Sequence, residues 1–381
     1  MLPDFRLETY FSRWEFNARY HMCASDMESL SVSDLLDMAD DEGREQWDSL
    51  RLGYTETFGS PALRREIAAT YDNIDESDIL CFAGAEEGIF AAMQVLLSSD
   101  DHAIVITPNY QAAETVPASV CDVTGLPLDP EQNWRLDPDR LRDALQPNTR
   151  VISFNFPHNP TGKVIDRDTW DEIINIARER GIYVFSDEVY RLLERDDSIR
   201  LPQAADVYER ALSLNVMSKS YGLPGLRIGW IATKDRDVLS QMERAKHYLS
   251  ICNSAPSEVL STIALRARDQ ILERNLALID DNLEELNGFF TDYEELFDWL
   301  VPDGGCIGYP RYNGADGVEA FCKDLVEQAG VLLLPASVYT SALNETPADR
   351  FRIGYGRTGI TAGLDAMRSF IESRDALRNV S

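Results

Sequence analysis

Lysine is scarce in this sequence. Five of the 36 basic residues are lysine (Lys163, Lys219, Lys234, Lys246 and Lys323), and the other 31 are arginine. The four histidines, His21, His102, His158 and His247, show no HExxH or comparable ligand spacing, so no metal site is expected. The six cysteines (Cys23, Cys81, Cys121, Cys252, Cys306 and Cys322) form no CxxC pair. They read as reduced core thiols of a cytoplasmic protein, not as a disulfide frame or a zinc site. No apolar run reaches the roughly 18 residues that a membrane-spanning helix needs. The segment Met1 to Arg6 lacks the basic-then-apolar order of a secretory signal. Positive charge is short throughout, and the net charge is −29 at pH 7. That balance argues against nucleic acid and anionic membranes as partners, because both need a basic face. No internal repeat, low-complexity segment or linker interrupts the chain.

The chain has 381 residues, 44% hydrophobic and 27% charged, a globular composition with room for two domains. The acidic, arginine-over-lysine surface suggests work in high salt, where screening makes self-repulsion tolerable. A GC-rich genome with a mildly acidic proteome is the rival explanation.

From about residue 60 to 235, strand-like apolar runs alternate with amphipathic helix-like segments. The expected strands are Ile79–Ala83, His102–Thr107, Val120–Leu126, Arg150–Phe154, Ile182–Ser186, Ala211–Val216 and Ile228–Ala232. Helices are expected at Glu86–Leu97, Asp137–Ala144, Arg167–Arg180 and Leu201–Tyr208. This alternation predicts an α/β fold with a mainly parallel, seven-stranded sheet covered by helices on both faces. After about residue 255 a smaller α+β domain is expected. It has one long helix over Pro256–Phe290, short strands at Cys306–Pro310, Val331–Leu334 and Phe351–Tyr355, and helices near Gly317–Gln328 and Ala362–Arg374. The expected division is a segment 1–45 that packs on the small domain through Trp14 and Phe16, a large domain 46–250, and the small domain 251–381.

Ligands of parallel sheets bind beyond the carboxyl ends of the strands, and the residues able to do chemistry fall there. Lys219 follows the apolar run Ala211 to Met217 and opens Ser218-Lys219-Ser220-Tyr221-Gly222-Leu223-Pro224-Gly225-Leu226-Arg227. A lysine held there loses hydration, its ammonium pKa falls, and the neutral amine attacks carbonyls. The buried strand at Ile182 runs into Ser186-Asp187-Glu188-Val189-Tyr190. A core strand that ends in an acid needs a cationic partner. Asn159-Pro160-Thr161-Gly162 closes another strand in a forced turn that presents the Asn159 amide.

These three motifs, in this order and spacing, resemble the fold-type-I pyridoxal-phosphate enzymes and, more narrowly, the class I/II aminotransferases. The resemblance runs from about Tyr54 to Arg352. It implies pyridoxal 5'-phosphate as cofactor, with Lys219 as the Schiff-base lysine that also moves the substrate α-proton. It implies that Asp187 pairs with the pyridine nitrogen, and that Asn159 and Tyr190 hydrogen-bond the phenolic oxygen. Gly84, Ala85 and Glu86 follow a strand and open a helix, whose free N–H groups suit the phosphate dianion. By resemblance Arg227 grips the same phosphate and Ser218 adds a hydroxyl. The family often has Ser or Thr where this chain has Val216, which puts one phosphate contact in doubt. Tyr110 matches the aromatic that stacks on the cofactor ring. Tyr54 matches the tyrosine donated across a homodimer interface, near which the family also places the Cys252-Asn253-Ser254-Ala255 loop. Arg352 lies within an apolar strand, where a buried arginine demands an anion. In the family this position, with Asn159, holds the substrate α-carboxylate; an internal salt bridge is the alternative.

The expected reaction moves an α-amino group between an L-amino acid and a 2-oxo acid. Another reaction on the same cofactor is the alternative, either a β-lyase or a specialised arginine-type enzyme. An amino-acid sensor is disfavoured, because the chain has neither a basic face nor length for a helix-turn-helix module. By resemblance, His21 to Ser29 lines the substrate pocket and brings the carboxylates Asp26 and Glu28 toward a cationic side chain. Arg19 and Arg357 are the candidates for selecting a dicarboxylic donor.

Overall fold

Seven apolar runs between residues 79 and 232 form one sheet. Its strands are β1 (Ile79–Phe82), β2 (His102–Thr107), β3 (Asp122–Pro127), β4 (Thr149–Asn155), β5 (Tyr183–Asp187), β6 (Ala211–Val216) and β7 (Gly229–Ala232). The structure is a computed structural model that describes residues 2–378, with side chains of the last helix described as far as Arg374. Met1 and residues 379–381, the extreme ends of the expected 1–45 and 251–381 units, lie outside the described residues.

Strand order across the sheet is β1-β7-β6-β5-β4-β2-β3. The β2, β3, β4, β5 and β6 ladders are parallel, and β7 alone runs against its neighbours β6 and β1. The expected α/β architecture is therefore the observed one. Apart from the partly exposed edge strand β3, the strands are buried on both faces and alternate their residues between two cores. Ile104, Ile152 and Val184 face a core that contains Trp170 and Ile173 of the helix Arg167–Arg180. Ala103, Val151 and Phe185 face the other core, against the helices Ala85–Leu96 and Arg236–Lys246.

Two helical expectations differ from the structure. The long helix is two, Ala255–Arg266 and Arg268–Asp292, broken at Ala267 with φ −89° and ψ 13°. The first half packs with Leu63, Ile67 and Trp230 beside the large sheet, and the second reaches a separate core with Phe297, Phe321 and Phe351. One straight helix could not serve both cores. The helix expected over Leu201–Tyr208 shrinks to Ala204–Val207. Pro202 leaves its predecessor extended, and the Glu188 carboxylate accepts the N–H of Ala204 at 2.9 Å.

Beyond residue 297 the strands are short. Ile307–Gly308 and Leu334–Pro335 flank Phe351–Gly354 in one antiparallel sheet. Tyr20–His21 pairs in parallel with Val331–Leu332, which ties the N-terminal segment to this region. Phe16 does not share that packing. It is 92% exposed, because it follows the end of the helix Arg6–Trp14 in a turn that points it away from the chain.

Candidate active site

At the carboxyl ends of the parallel strands, five loops converge on a cavity of about 330 Å³. Most of the expected residues line it: Ala85, Glu86, Tyr110, Asn159, Asp187 and Tyr190, together with Ser218, Lys219, Arg227 and Arg352. The fold brings them together because each follows, or belongs to, a strand whose end opens there. Gly84 sits one residue before this wall. Tyr54 is apart from it, 94% exposed on the outer surface, so it is not a core tyrosine.

Lys219 donates from Nζ to the Ser25 hydroxyl at 2.9 Å, and lies 5.9 Å from the Tyr190 ring centre. Burial pulls its ammonium pKa down, as does the charge of Arg352, while Asp26 and Asp187 oppose the shift. Asp187 ends β5 with Oδ1 accepting the Val189 N–H at 3.2 Å. Burial pushes its carboxyl up to about 7, against the lowering effects of that hydrogen bond and of Lys219. The main chain around it is tied by Asn155. The Asn155 amide donates to the Asp187 carbonyl at 3.0 Å, and its oxygen accepts the Asn159 N–H at 2.7 Å.

The turn before the helix Ala85–Leu96 is shaped for an anion. Gly84 has φ +95°, and a Cβ there would stand 2.5 Å from Nη2 of Arg227. The guanidinium thus lies directly against the helix N-terminus, whose first N–H groups have no side-chain cap. Glu87 holds the turn by accepting the N–H groups of Ala83 and Ser250. Tyr110 packs on Phe5 at 5.3 Å between ring centres. Burial, with Glu86 close by, raises the Tyr110 phenol well above its usual range, so it stays protonated.

Arg352 is 1% exposed. Its Nη groups donate to Tyr339 Oη at 2.7 Å, to the Cys23 carbonyl at 2.7 Å and to Asn159 Oδ1 at 3.5 Å. All three acceptors are neutral, and Nε has no partner. Among the described residues no carboxylate pairs with it, so the internal salt bridge is absent. A buried cation without an anion is built for one that arrives from outside. Tyr339 also donates to Asn159 Oδ1 at 3.1 Å, which leaves the Asn159 amide nitrogen to donate elsewhere.

The expected acidic pair divides. Asp26 lines the cavity but forms a bidentate pair with Arg357, at 3.0 and 2.8 Å. Glu28 does not line it; its carboxylate accepts the N–H and hydroxyl of Thr358, both at 2.9 Å. Arg357 is thereby occupied, and Arg19 lies over the Tyr20 ring away from the cavity.

Ser25 lies within the pocket-lining segment His21 to Ser29 that the resemblance implied, but its contact with Lys219 gave no signal in the sequence. Nor did Tyr339 and His158, which hold lining residues or loops without lining the cavity themselves. Ser25 and Tyr339 act from segments 194 and 180 residues away from their partners. His158 bridges two loops. Its Nε2 donates to the Pro108 carbonyl at 2.9 Å and Nδ1 accepts from Thr161 at 2.8 Å, a tautomer set by the carbonyl, which can only accept. Glu8, Phe11 and Glu15 of the N-terminal segment also face the cavity. The sequence marked this segment only as packing through Trp14 and Phe16, not as a site wall.

The residues present fit pyridoxal phosphate: a buried amine of depressed pKa, an acid beside it, an aromatic ring, and a glycine turn pressed on an arginine. The sequence profile of the family described as "Aminotransferase class I and II" matches residues 22–365. Capreomycidine synthase of Streptomyces vinaceus is 28% identical over 371 residues, 96% of this chain and 93% of that protein. Arginine–pyruvate transaminase of Pseudomonas aeruginosa is 32% identical over 345 residues, 84% of this chain and 82% of that one. A PLP-dependent aminotransferase from Streptococcus suis 89-1591 superposes with TM-score 0.90 at 28% identity, over 98% of both chains. On its sequence, its fold and this cavity, the chain belongs to the class I and II aminotransferase family and is an enzyme that uses pyridoxal phosphate.

Proposed function

We propose that this enzyme is an aminotransferase that moves an α-amino group between an L-amino acid and a 2-oxo acid. The observation that carries this reading is the pairing, in one cavity, of the half-buried Lys219 amine with the anion-seeking Arg352. When bound, pyridoxal phosphate supplies an aldehyde that condenses with amines and a protonated ring that accepts an electron pair. The Lys219 amine holds the cofactor. Once freed by substrate, it takes and returns the α-proton as general base and acid. Ser25, at 2.9 Å, keeps that amine in place when it is free. Asp187 would hold a proton on the ring nitrogen, and Asn159 and Tyr190 would donate to the phenolic oxygen, the Tyr190 hydroxyl turning from the Ser25 carbonyl that accepts it at 3.2 Å. Gly84, Ala85, Glu86 and Ser218 with Arg227 form the phosphate seat, and Tyr110 supports the ring. Arg352 receives the substrate α-carboxylate through its guanidinium fork.

A homodimer belongs to the same proposal. Leu52 and Tyr54 are 86% and 94% exposed, and Tyr248 is 92% exposed. Their two segments are bound side by side, since Thr55 donates to the Asn253 carbonyl at 3.0 Å and Lys246 to the Thr57 carbonyl at 2.8 Å. An apolar patch of this kind marks a protein interface. The division into units 1–45, 46–250 and 251–381 is likewise proposed, with the large sheet inside the second unit.

Resemblance to a capreomycidine synthase favours a second reading, another reaction on the same cofactor. An amino donor alone separates the two. Transamination bleaches the aldehyde absorbance and yields one equivalent of 2-oxo acid per subunit. Ammonia or a rearranged amino acid released with that absorbance retained supports the second reading and overturns the first.

A further inference from the structure

Charges of both signs line the cavity, and most of them pair off. Asp26 takes Arg357. On the reading proposed above, Arg227 takes the cofactor phosphate, Asp187 the ring nitrogen, Lys219 the aldehyde and Arg352 the α-carboxylate. Arg352 calls for a ligand independently of that reading, being 1% exposed with Nε unpartnered. Glu86 also lines the cavity and hydrogen-bonds the Tyr110 phenol, so once these pairs are made Glu8 and Glu15 are left over.

Both line the same cavity. Glu8 lies in the first turn of the helix Arg6–Trp14, and Glu15 is its C-terminal cap residue. Seven residues apart, they share one helical face. Among the described residues neither carboxylate makes a hydrogen bond or an ion pair. Burial raises the Glu15 carboxyl above its ordinary range and the repulsion of Glu8 adds to it, while Arg357, already paired with Asp26, opposes the shift. Glu8 also repels Glu86 across the cavity.

We propose that the substrate is an L-amino acid whose side chain ends in a cation, a guanidinium or an ammonium, and that Glu8 and Glu15 select it. This rests on the reading of the site as a pyridoxal-phosphate site with Arg352 as the α-carboxylate receptor. On their shared helical face Glu15 is half-buried and Glu8 exposed at the cavity mouth, and the two carboxylates repel each other. A cation between them relieves both, a neutral side chain leaves the repulsion in place, and an anion adds to it. A guanidinium carries five N–H donors in a planar fork, enough to serve two carboxylates. The selecting acids are thus on the N-terminal helix. Asp26 and Glu28, expected from the sequence in this role, are already satisfied by Arg357 and Thr358.

Calorimetry of the cofactor-loaded enzyme with 5-guanidinopentanoate and 5-ureidopentanoate tests it. These probes carry the carboxylate and the side chain of arginine and citrulline but no amine, so they bind without reacting. The guanidino acid should bind about 10- to 100-fold more tightly, the effect of one or two charge-assisted hydrogen bonds. In Glu8→Gln/Glu15→Gln that ratio should fall toward one. Each single variant should give part of the loss, which covers a double variant that loads cofactor poorly. Equal affinity in the parent enzyme, or a ratio unchanged in the variants, overturns the proposal. Adding L-arginine to the same samples reads the cofactor absorbance separately. A failure of any amino donor to change it overturns transamination and leaves the affinity ratio standing.

Discussion

Lys219 and Asp187 are held against their own hydration. Burial drives Asp187 up to about 7 and Lys219 down, so each is short of counter-charge until the cofactor supplies it. In cofactor-free protein, native Asp187 keeps a proton between about pH 4 and 7 that the unfolded chain has released. Its contribution to stability is present below the unfolded pKa and is lost as pH rises through 7. Lys219, depressed, has the opposite slope at higher pH, so Asp187 is isolated by comparison with Asp187→Asn. The melting temperature of the cofactor-free parent should fall between pH 4 and 7 more steeply than that of the variant, and parallel curves would contradict this. Adding cofactor should raise the melting temperature of the parent. Arg352→Lys keeps the charge and loses the fork. KM should rise about 10- to 100-fold for every amino donor alike, and a rise confined to one side-chain class would place Arg352 elsewhere. Lys219, Asp187 and Arg352 were legible in the sequence because a charge that ends or interrupts an apolar strand breaks a packing rule. Ser25, Tyr339 and Glu8 break no such rule. The fold brings them to the site, Ser25 alone from a segment that the resemblance already placed there.

Elements explain the remaining precision of the site. The β2 and β6 limits are those the sequence suggested, and the other five strands shift by one or two residues, because apolar runs bounded by turns are strong signals. The break at Ala267 was illegible, since Leu265-Arg266-Ala267-Arg268 has neither glycine nor proline. Two separate cores impose it. The N-terminal segment, expected only to pack on the small domain, carries the helix Arg6–Trp14, which forms a wall of the cavity. The turn at Gly84 does the opposite and shows its function locally. Gly84→Ala should weaken cofactor binding at least about tenfold, because a Cβ there meets both a φ of +95° and the Arg227 guanidinium at 2.5 Å. Cofactor titration by fluorescence checks this, and unchanged affinity would remove the turn from the phosphate seat.

For the molecule as a whole, charge and assembly set the behaviour. A net charge of −29 remains after every arginine is counted, including those in clusters such as Arg266 with Asp40, Glu42 and Glu66. Screening relieves its self-repulsion, so the melting temperature should rise in molar potassium chloride; an equal or lower value would favour the genome-composition explanation of the acidic surface. The exposed patch around Leu52, Tyr54 and Tyr248 should be covered by a second copy, and light scattering should give twice the chain mass. A fully active monomer would contradict that. The most direct test of the central claim is borohydride reduction of the cofactor-loaded enzyme followed by peptide mapping. The cofactor mass should appear on Lys219 and vanish in Lys219→Ala, although Lys163 and Lys246 are the more deeply buried side chains. Finding the adduct on either of those lysines, or on none, would contradict the account of this site.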